Sequence, residues 1–329
     1  MIMTTYARRA VLAAIGVVLV GCGGDTAAKA TATHGKGEKH AGEVAVSTTH
    51  KGAYPFGVVC TIGMVADLVR HVGGDHVKVT QLMGEGVDPH LYKASPGDVT
   101  ALNGADVIFY SGLHLEGKMA DVFVRMARKK PTFAVTEYIQ ESRVLDDPNG
   151  AFDPHLWFDV SLWRDATGVV RDVLKAYDPK HADEYQTRAD AYQRELADLH
   201  AYAGKELGTI PKERRVLVTA HDAFRYFGRA YDIEVRGIQG ISTESEAGVR
   251  DVNDLVAFMV KRKVKAVFVE SSVSDKNIRA LLEGCRAQGH QVTIGGELFS
   301  DAMGKDGTPE GTYVGMVRHN VDAIVKALR

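Results

Sequence analysis

Cysteine is scarce in this chain: its 329 residues hold three, Cys22, Cys60 and Cys285. Cys60 falls in a first strand and Cys285 in a late helix, in different halves of the chain. Both are read as buried apolar thiols rather than as a disulfide pair. A long run of Lys or Arg is also missing, which argues against a nucleic acid or other polyanion as partner. The formal charge is −2; removing residues 1–21 would take away Arg8 and Arg9 and no acid, leaving −4. No H-E-x-x-H helix occurs, so the usual zinc hydrolase signature is absent. The N-terminal apolar run, Ala10 to Val20, is too short to span a bilayer as a mature helix.

That run has a different use. Arg8 and Arg9 precede it and Leu19-Val20-Gly21-Cys22 ends it. The order resembles a bacterial lipobox: residues 1–21 form a lipoprotein signal peptide and Cys22 takes the lipid. The mature protein is expected to be extracytoplasmic and held to a bacterial membrane by acyl chains. Residues 22–51 are rich in Gly, Ala, Thr, Lys and His and poor in large apolar residues. They read as a disordered tether, with His34, His40 and His50 as solvated linker residues.

The folded part reads as α/β, with two lobes of parallel-type sheet flanked by helices. Residues 52–180 form the N-terminal lobe. Strands are expected at Gly57–Thr61, Val77–Leu82, Ala105–Tyr110 and Thr132–Val135. Ser95-Pro96 reads as an N-cap and first helical residue. Residues 181–209 hold one long rigid helix, because Tyr185, Ala189, Tyr192, Leu196, Leu199 and Ala203 recur at helical spacing. Residues 210–329 form the C-terminal lobe, with strands at Val216–Ala220, Ile233–Arg236, Ala266–Val269 and Gln291–Ile294. Its helices are expected at Ala223–Arg229, Glu246–Lys261, Asp275–Gln288 and Thr312–Ala327.

Chemistry concentrates in a repeat. Asp-Pro-His occurs as Asp88-Pro89-His90 and as Asp153-Pro154-His155, each after an apolar stretch. Proline fixes φ beside each histidine and so limits the freedom lost on binding. His221 ends a strand-like run, and Asp301 follows another. Three imidazoles and a carboxylate suit a divalent transition ion: imidazole nitrogen suits zinc, copper, iron and nickel, and carboxylate oxygen extends the range to manganese. Ligands of open α/β sheets bind beyond the carboxyl ends of strands, so the four are expected to meet in the cleft between the lobes. Glu270, after a buried strand, is either a fifth ligand or, preferably, an acceptor that orients a ligand histidine. His114 could approach the cleft but reads better as structural. Tyr92 and Trp157 are expected on the cleft wall. His71, His76, His181, His200, His290 and His319 show no ligating spacing. Because histidines must lose protons to bind metal, affinity is expected to fall as pH drops through the imidazole range.

Beyond these residues the chain resembles a known family, the metal-binding lipoproteins of zinc and manganese ABC importers (cluster A-I solute-binding proteins). The resemblance covers about residues 55–329. It rests on Gly86–Tyr92, Asp153–Asp159, His221–Phe227, Gln239–Gly248, Val267–Glu270 and Asp301–Gly304. The Gly240–Glu246 and Gly112–Glu116 segments look most like the TroA-like branch. The family implies two lobes, a rigid linking helix, and delivery of the ion to a membrane permease driven by a cytoplasmic ATPase. Its ligand positions fall on His90, His155, His221 and Asp301. Manganese-type relatives often have glutamate where His221 stands. Zinc-type relatives often carry a histidine-rich loop, and no histidine follows His114 here until His155. Zn2+ or Mn2+ is therefore expected as transported cargo, bound by a monomer that is not an enzyme. The alternatives are a zinc-dependent hydrolase and a surface adhesin lipoprotein with a structural metal.

Overall fold

The computed structural model describes residues 44–147 and 151–329. The signal peptide, Cys22, and tether residues His34 and His40 lie outside the described residues. The tether reading needs one correction inside them. His50 is half-buried, not solvated: its N–H donates to the Tyr177 carbonyl at 2.6 Å, and its ring packs 5.0 Å from that of Phe56. Val44 and Val46 also pack on the core, so the chain joins the folded body before residue 51.

The first lobe is a four-stranded parallel sheet in the order β2-β1-β3-β4. Its strands are β1 (Phe56–Cys60), β2 (Val77–Gln81), β3 (Val107–Tyr110) and β4 (Thr132–Ala134). Parallel strands need crossovers, supplied by α1 (Gly63–Gly73), α2 (Pro96–Gly104) and α3 (Ala120–Ala127). The cap of α2 forms as the sequence implies: Ser95 Oγ accepts from Asp98 N and Asp98 Oδ2 accepts from Ser95 N. A further helix, α4 (Val160–Tyr177), was not expected from the pattern. Its signals are local nonetheless. Asp159 caps it by accepting from Ser161 N, and Leu162, Ala166, Val169, Val170 and Val173 form its buried stripe.

The long helix α5 (Ala182–Leu207) is 26 residues, about 39 Å at 1.5 Å per residue. Its predicted stripe is buried throughout, with Leu207 added. Each large apolar side chain so buried stabilises by about 1.5–3 kcal/mol. The stripe does not leave α5 free-standing: it packs on α4 and α1 of the first lobe and on α9 of the second. Tyr192 OH donates to the buried Asp67 of α1 at 2.5 Å, which pins the helix to the first lobe.

The second lobe has two parallel pairs, β5 (Val216–His221) with β6 (Glu234–Gln239), and β7 (Ala266–Glu270) with β8 (Thr293–Leu298). Helices α6 (Arg225–Tyr231), α7 (Val249–Arg262), α8 (Lys276–Ala287) and α9 (Tyr313–Leu328) cover them. β8 begins and ends later than the predicted Gln291–Ile294. Gly295 and Gly296 lie inside it and hid its second half. A Cβ at Gly295 would come within 2.7 Å of Ala327 and 2.9 Å of the Phe268 ring, so α9 can approach only over a glycine. Cys60 and Cys285 are both free and fully buried, as read. Among the described residues, no helix is long and apolar enough to cross a membrane.

Candidate metal centre

The two Asp-Pro-His turns work alike. Asp88 Oδ1 accepts from the His90 N–H at 2.9 Å, and Asp153 Oδ1 accepts from the His155 N–H at 3.1 Å. In each, the aspartate folds back onto the residue two ahead, a local turn that proline stiffens. The first turn follows the carboxyl end of β2. The second is held from outside by Tyr226 OH, which donates to the Asp153 carbonyl at 2.9 Å.

His221 is the last residue of the wholly buried β5. Glu270, the last of β7, accepts from its N–H at 2.9 Å and from Nδ1–H at 2.6 Å. Likewise Asp153 Oδ1 lies 2.8 Å from His155 Nδ1. Both carboxylates hold the Nδ1 side, so Nε2 of each ring is turned toward the cleft. Glu270 thus meets His221 on its backbone N–H and its Nδ1 side. A carboxylate in this place also raises the basicity of a ligand imidazole.

Asp301, after β8, completes the cluster. His90 Nε2, His155 Nε2 and His221 Nε2 lie 3.5, 3.4 and 3.3 Å from its carboxylate oxygens. His90 Nε2 and His155 Nε2 are 3.3 Å apart. Donors about 2.0–2.1 Å from a tetrahedral ion lie about 3.3–3.4 Å from one another, so these spacings fit one small cation at the centre. His90 is 4% exposed, Asp301 1%, and His155 and His221 are fully buried. His221 Nε2 and both Asp301 oxygens have no hydrogen-bond partner although buried. Such atoms are costly to bury, and an ion at the centre would satisfy all three.

The electrostatics are uneven. Burial pulls the His90 imidazole down to about 3. Burial acts the same way on His155, but Asp301 and Asp153 outweigh it and hold that imidazole up at about 9. His221 is opposed by burial and raised well above its ordinary value by Glu270 and Asp301. Asp301, which burial alone would raise, is drawn well below the ordinary carboxylate range by His221 and His155. Two of the three rings thus hold a proton near neutral pH and one does not.

Around the cluster, Trp157 packs edge-on to His155 at 5.2 Å and donates Nε1–H to the Ser300 carbonyl. The Tyr92 hydroxyl donates to Asp98 of the α2 cap at 2.8 Å. A cavity of about 830 Å³ opens beside His90, and Asp222, Glu244 and His114 are among its lining. From the far side Thr243 OH donates to Asp88 Oδ2 at 2.6 Å, so the 240–246 loop braces the first turn. Sequence reasoning missed Thr243, which no spacing marks. Of the remaining histidines, His71, His200, His290 and His319 make ordinary local contacts, to Asp67 O, Tyr231 OH, Val264 O and Glu297 O. His76 and His181, read as non-ligating, instead lie together beside Glu184.

Residues 58–327 match the family described as zinc-uptake complex component A, periplasmic. The chain is 51% identical to the manganese-binding lipoprotein MntA of Bacillus subtilis over 83% of this chain and 89% of that one. It is 52% identical to the zinc-binding protein TroA of Treponema pallidum over 82% and 88%. The solved periplasmic zinc-binding protein TroA from Treponema pallidum superposes with a TM-score of 0.82 at 51% identity, covering 84% of this chain and 99% of that one.

Proposed function

This chain belongs to the zinc-uptake complex component A family, and from that premise we propose that it captures a divalent transition ion outside the cytoplasm and hands it to an ABC importer. The carrying observation is the buried ring of four donors, His90, His155, His221 and Asp301, spaced for a single ion. The family is one of solute-binding transport proteins rather than enzymes. A catalytic zinc keeps an open position for water or substrate, whereas here four buried donors converge. Nothing in the fold or the relatives favours the hydrolase or adhesin readings.

Relatives of nearly equal identity carry a zinc name and a manganese name, so likeness does not choose the ion. The donor chemistry supports zinc as the tighter binder. Three imidazoles bind zinc more tightly than manganese, which lies at the weak end of the divalent series. Both ions bind, with zinc the stronger. Competitive titration against a chromogenic chelator checks this, and tighter manganese binding would contradict it.

The domain reading follows: a first lobe that takes in the chain from Val44 and runs to 180, a linking helix at 181–209 and a second lobe at 210–329. The signal peptide is 1–21 and the tether starts at Cys22. Lipid on Cys22 holds a monomer at the membrane, where a permease and its cytoplasmic ATPase receive the ion. Cys22→Ser should release the protein to the soluble extracytoplasmic fraction or leave it unprocessed. Normal processing and membrane retention of that variant would end the lipobox reading.

A further inference from the structure

A second set of metal-ligating side chains lies well away from the buried centre. His76 closes the short turn before β2, His181 stands just before α5, and Glu184 lies in the first turn of α5. One ligand atom from each falls within 4.8 Å of the others. His76 Nε2 is 2.9 Å from Glu184 Oε2, and the two imidazoles stack with centroids 3.8 Å apart. His76 precedes the amino end of β2 while His90 follows its carboxyl end. The sites therefore lie beyond opposite ends of β2, a strand about 16 Å long for its five residues.

The orienting device of the main centre recurs here. Asp178, 1% exposed, lies 2.8 Å from His181 Nδ1 and accepts from Tyr54 OH and Tyr185 OH at 2.7 Å each. That engages Nδ1 and leaves Nε2 as the free donor, as Glu270 does for His221. The His76 and His181 side chains are 17% and 15% exposed and that of Glu184 is 50%. Solvent reaches the cluster, so water can complete the coordination. Binding requires the stacked rings to fan apart until both lone pairs meet one ion. It also competes with Arg188, whose Nη2 lies 3.1 Å from the same Glu184 oxygen. Both effects make this site weaker than the buried one.

We infer that His76, His181 and Glu184 form a second, water-completed site for a borderline divalent ion such as zinc, which fastens the start of the linking helix to the first lobe. Two imidazoles and one carboxylate favour zinc over manganese. The inference does not depend on the proposed transport role, because the two sites share no residue.

Zinc titration by calorimetry on the full chain, preloaded with one equivalent, tests it. A second, weaker equivalent is expected. It should vanish in His76→Gln and in His181→Asn, while the first remains. It should persist in His155→Ala, which disables the buried centre, and in a His34→Asn/His40→Asn chain, which removes two tail histidines. Zinc-soaked crystals should show anomalous density bridging His76 Nε2 and His181 Nε2. The idea is overturned if no second equivalent binds, if it survives both His76→Gln and His181→Asn, or if millimolar zinc leaves no density there. Failure of the transport reading would look different, as a first equivalent untouched by His155→Ala.

Discussion

The buried cluster in the cleft and the surface cluster at the start of α5 use the same donors, imidazole and carboxylate, each with a buried acid behind a histidine. Their surroundings differ. In the cleft, His221 Nε2 and both Asp301 oxygens are sealed from water without a hydrogen bond. At the surface, Glu184 already bonds to His76 and Arg188 and is half open to solvent. An ion entering the cleft satisfies atoms that nothing else can reach; at the surface it must displace partners that are already adequate. Donor type therefore sets which metals can bind, and burial with tethering sets how tightly.

The largest test of that contrast is thermal. A ligand that binds only the folded state at a thousandfold excess over Kd stabilises it by about 4 kcal/mol, equivalent to about 7 °C in melting temperature for a body of this size. Zinc should produce a rise of that order, and His155→Ala or His221→Ala should remove most of it. His76→Gln should not. An equal loss in His76→Gln would dissolve the distinction between the two clusters.

Next in size is Glu270→Gln. The amide keeps the shape but not the charge behind His221 Nδ1. Zinc affinity should fall about 10- to 100-fold, read by chelator competition with the fold verified by circular dichroism. Unchanged affinity would mean that Glu270 does not orient the ligand.

The pH dependence sharpens the contrast further. In chelator-stripped protein His155, near 9, and His221, raised well above its ordinary value, hold protons at pH 7, while His90, near 3, does not. Zinc binding at pH 7 should then release about two protons, whereas three imidazoles at their ordinary value of about 6.5 would release fewer than one. Calorimetry in buffers of different ionisation enthalpy counts them. His155 is raised above its unfolded value, so its contribution to stability is full below about pH 6.5 and is lost as pH rises through about 9. The melting temperature of stripped protein should decline across that window, whereas zinc-loaded protein should lack the decline. A flat stripped profile would refute the assignment.

Smaller still is Thr243→Val. It removes one hydrogen bond to Asp88, costing about 1 kcal/mol of stability, and zinc affinity should fall by at most about fivefold. Deleting residues 23–43 should change neither site. The cut stops short of Val44 because Val44, Val46 and His50 pack on the body.

The most legible parts of this chain were those whose causes are local. Both Asp-Pro-His turns form by an aspartate reaching two residues ahead, and the α5 stripe is a matter of spacing. The capped start of α2 reads directly from Ser95-Pro96. Less was read where a signal was present but mixed. Asp159 and the apolar stripe of α4 were there to be found, and Gly295 and Gly296 masked a strand that needs them for α9 to approach. Tertiary structure alone decided the rest. His76 and Glu184 are 108 residues apart and meet only because α1, which leads into the His76 turn, packs on α5. Thr243 and Asp88 are 155 apart. Sequence determined the donor chemistry and the turns that present it, since these follow from short-range bonding and torsion. It could not determine which donors lose their water, because burial is a property of surfaces that chain neighbours do not share.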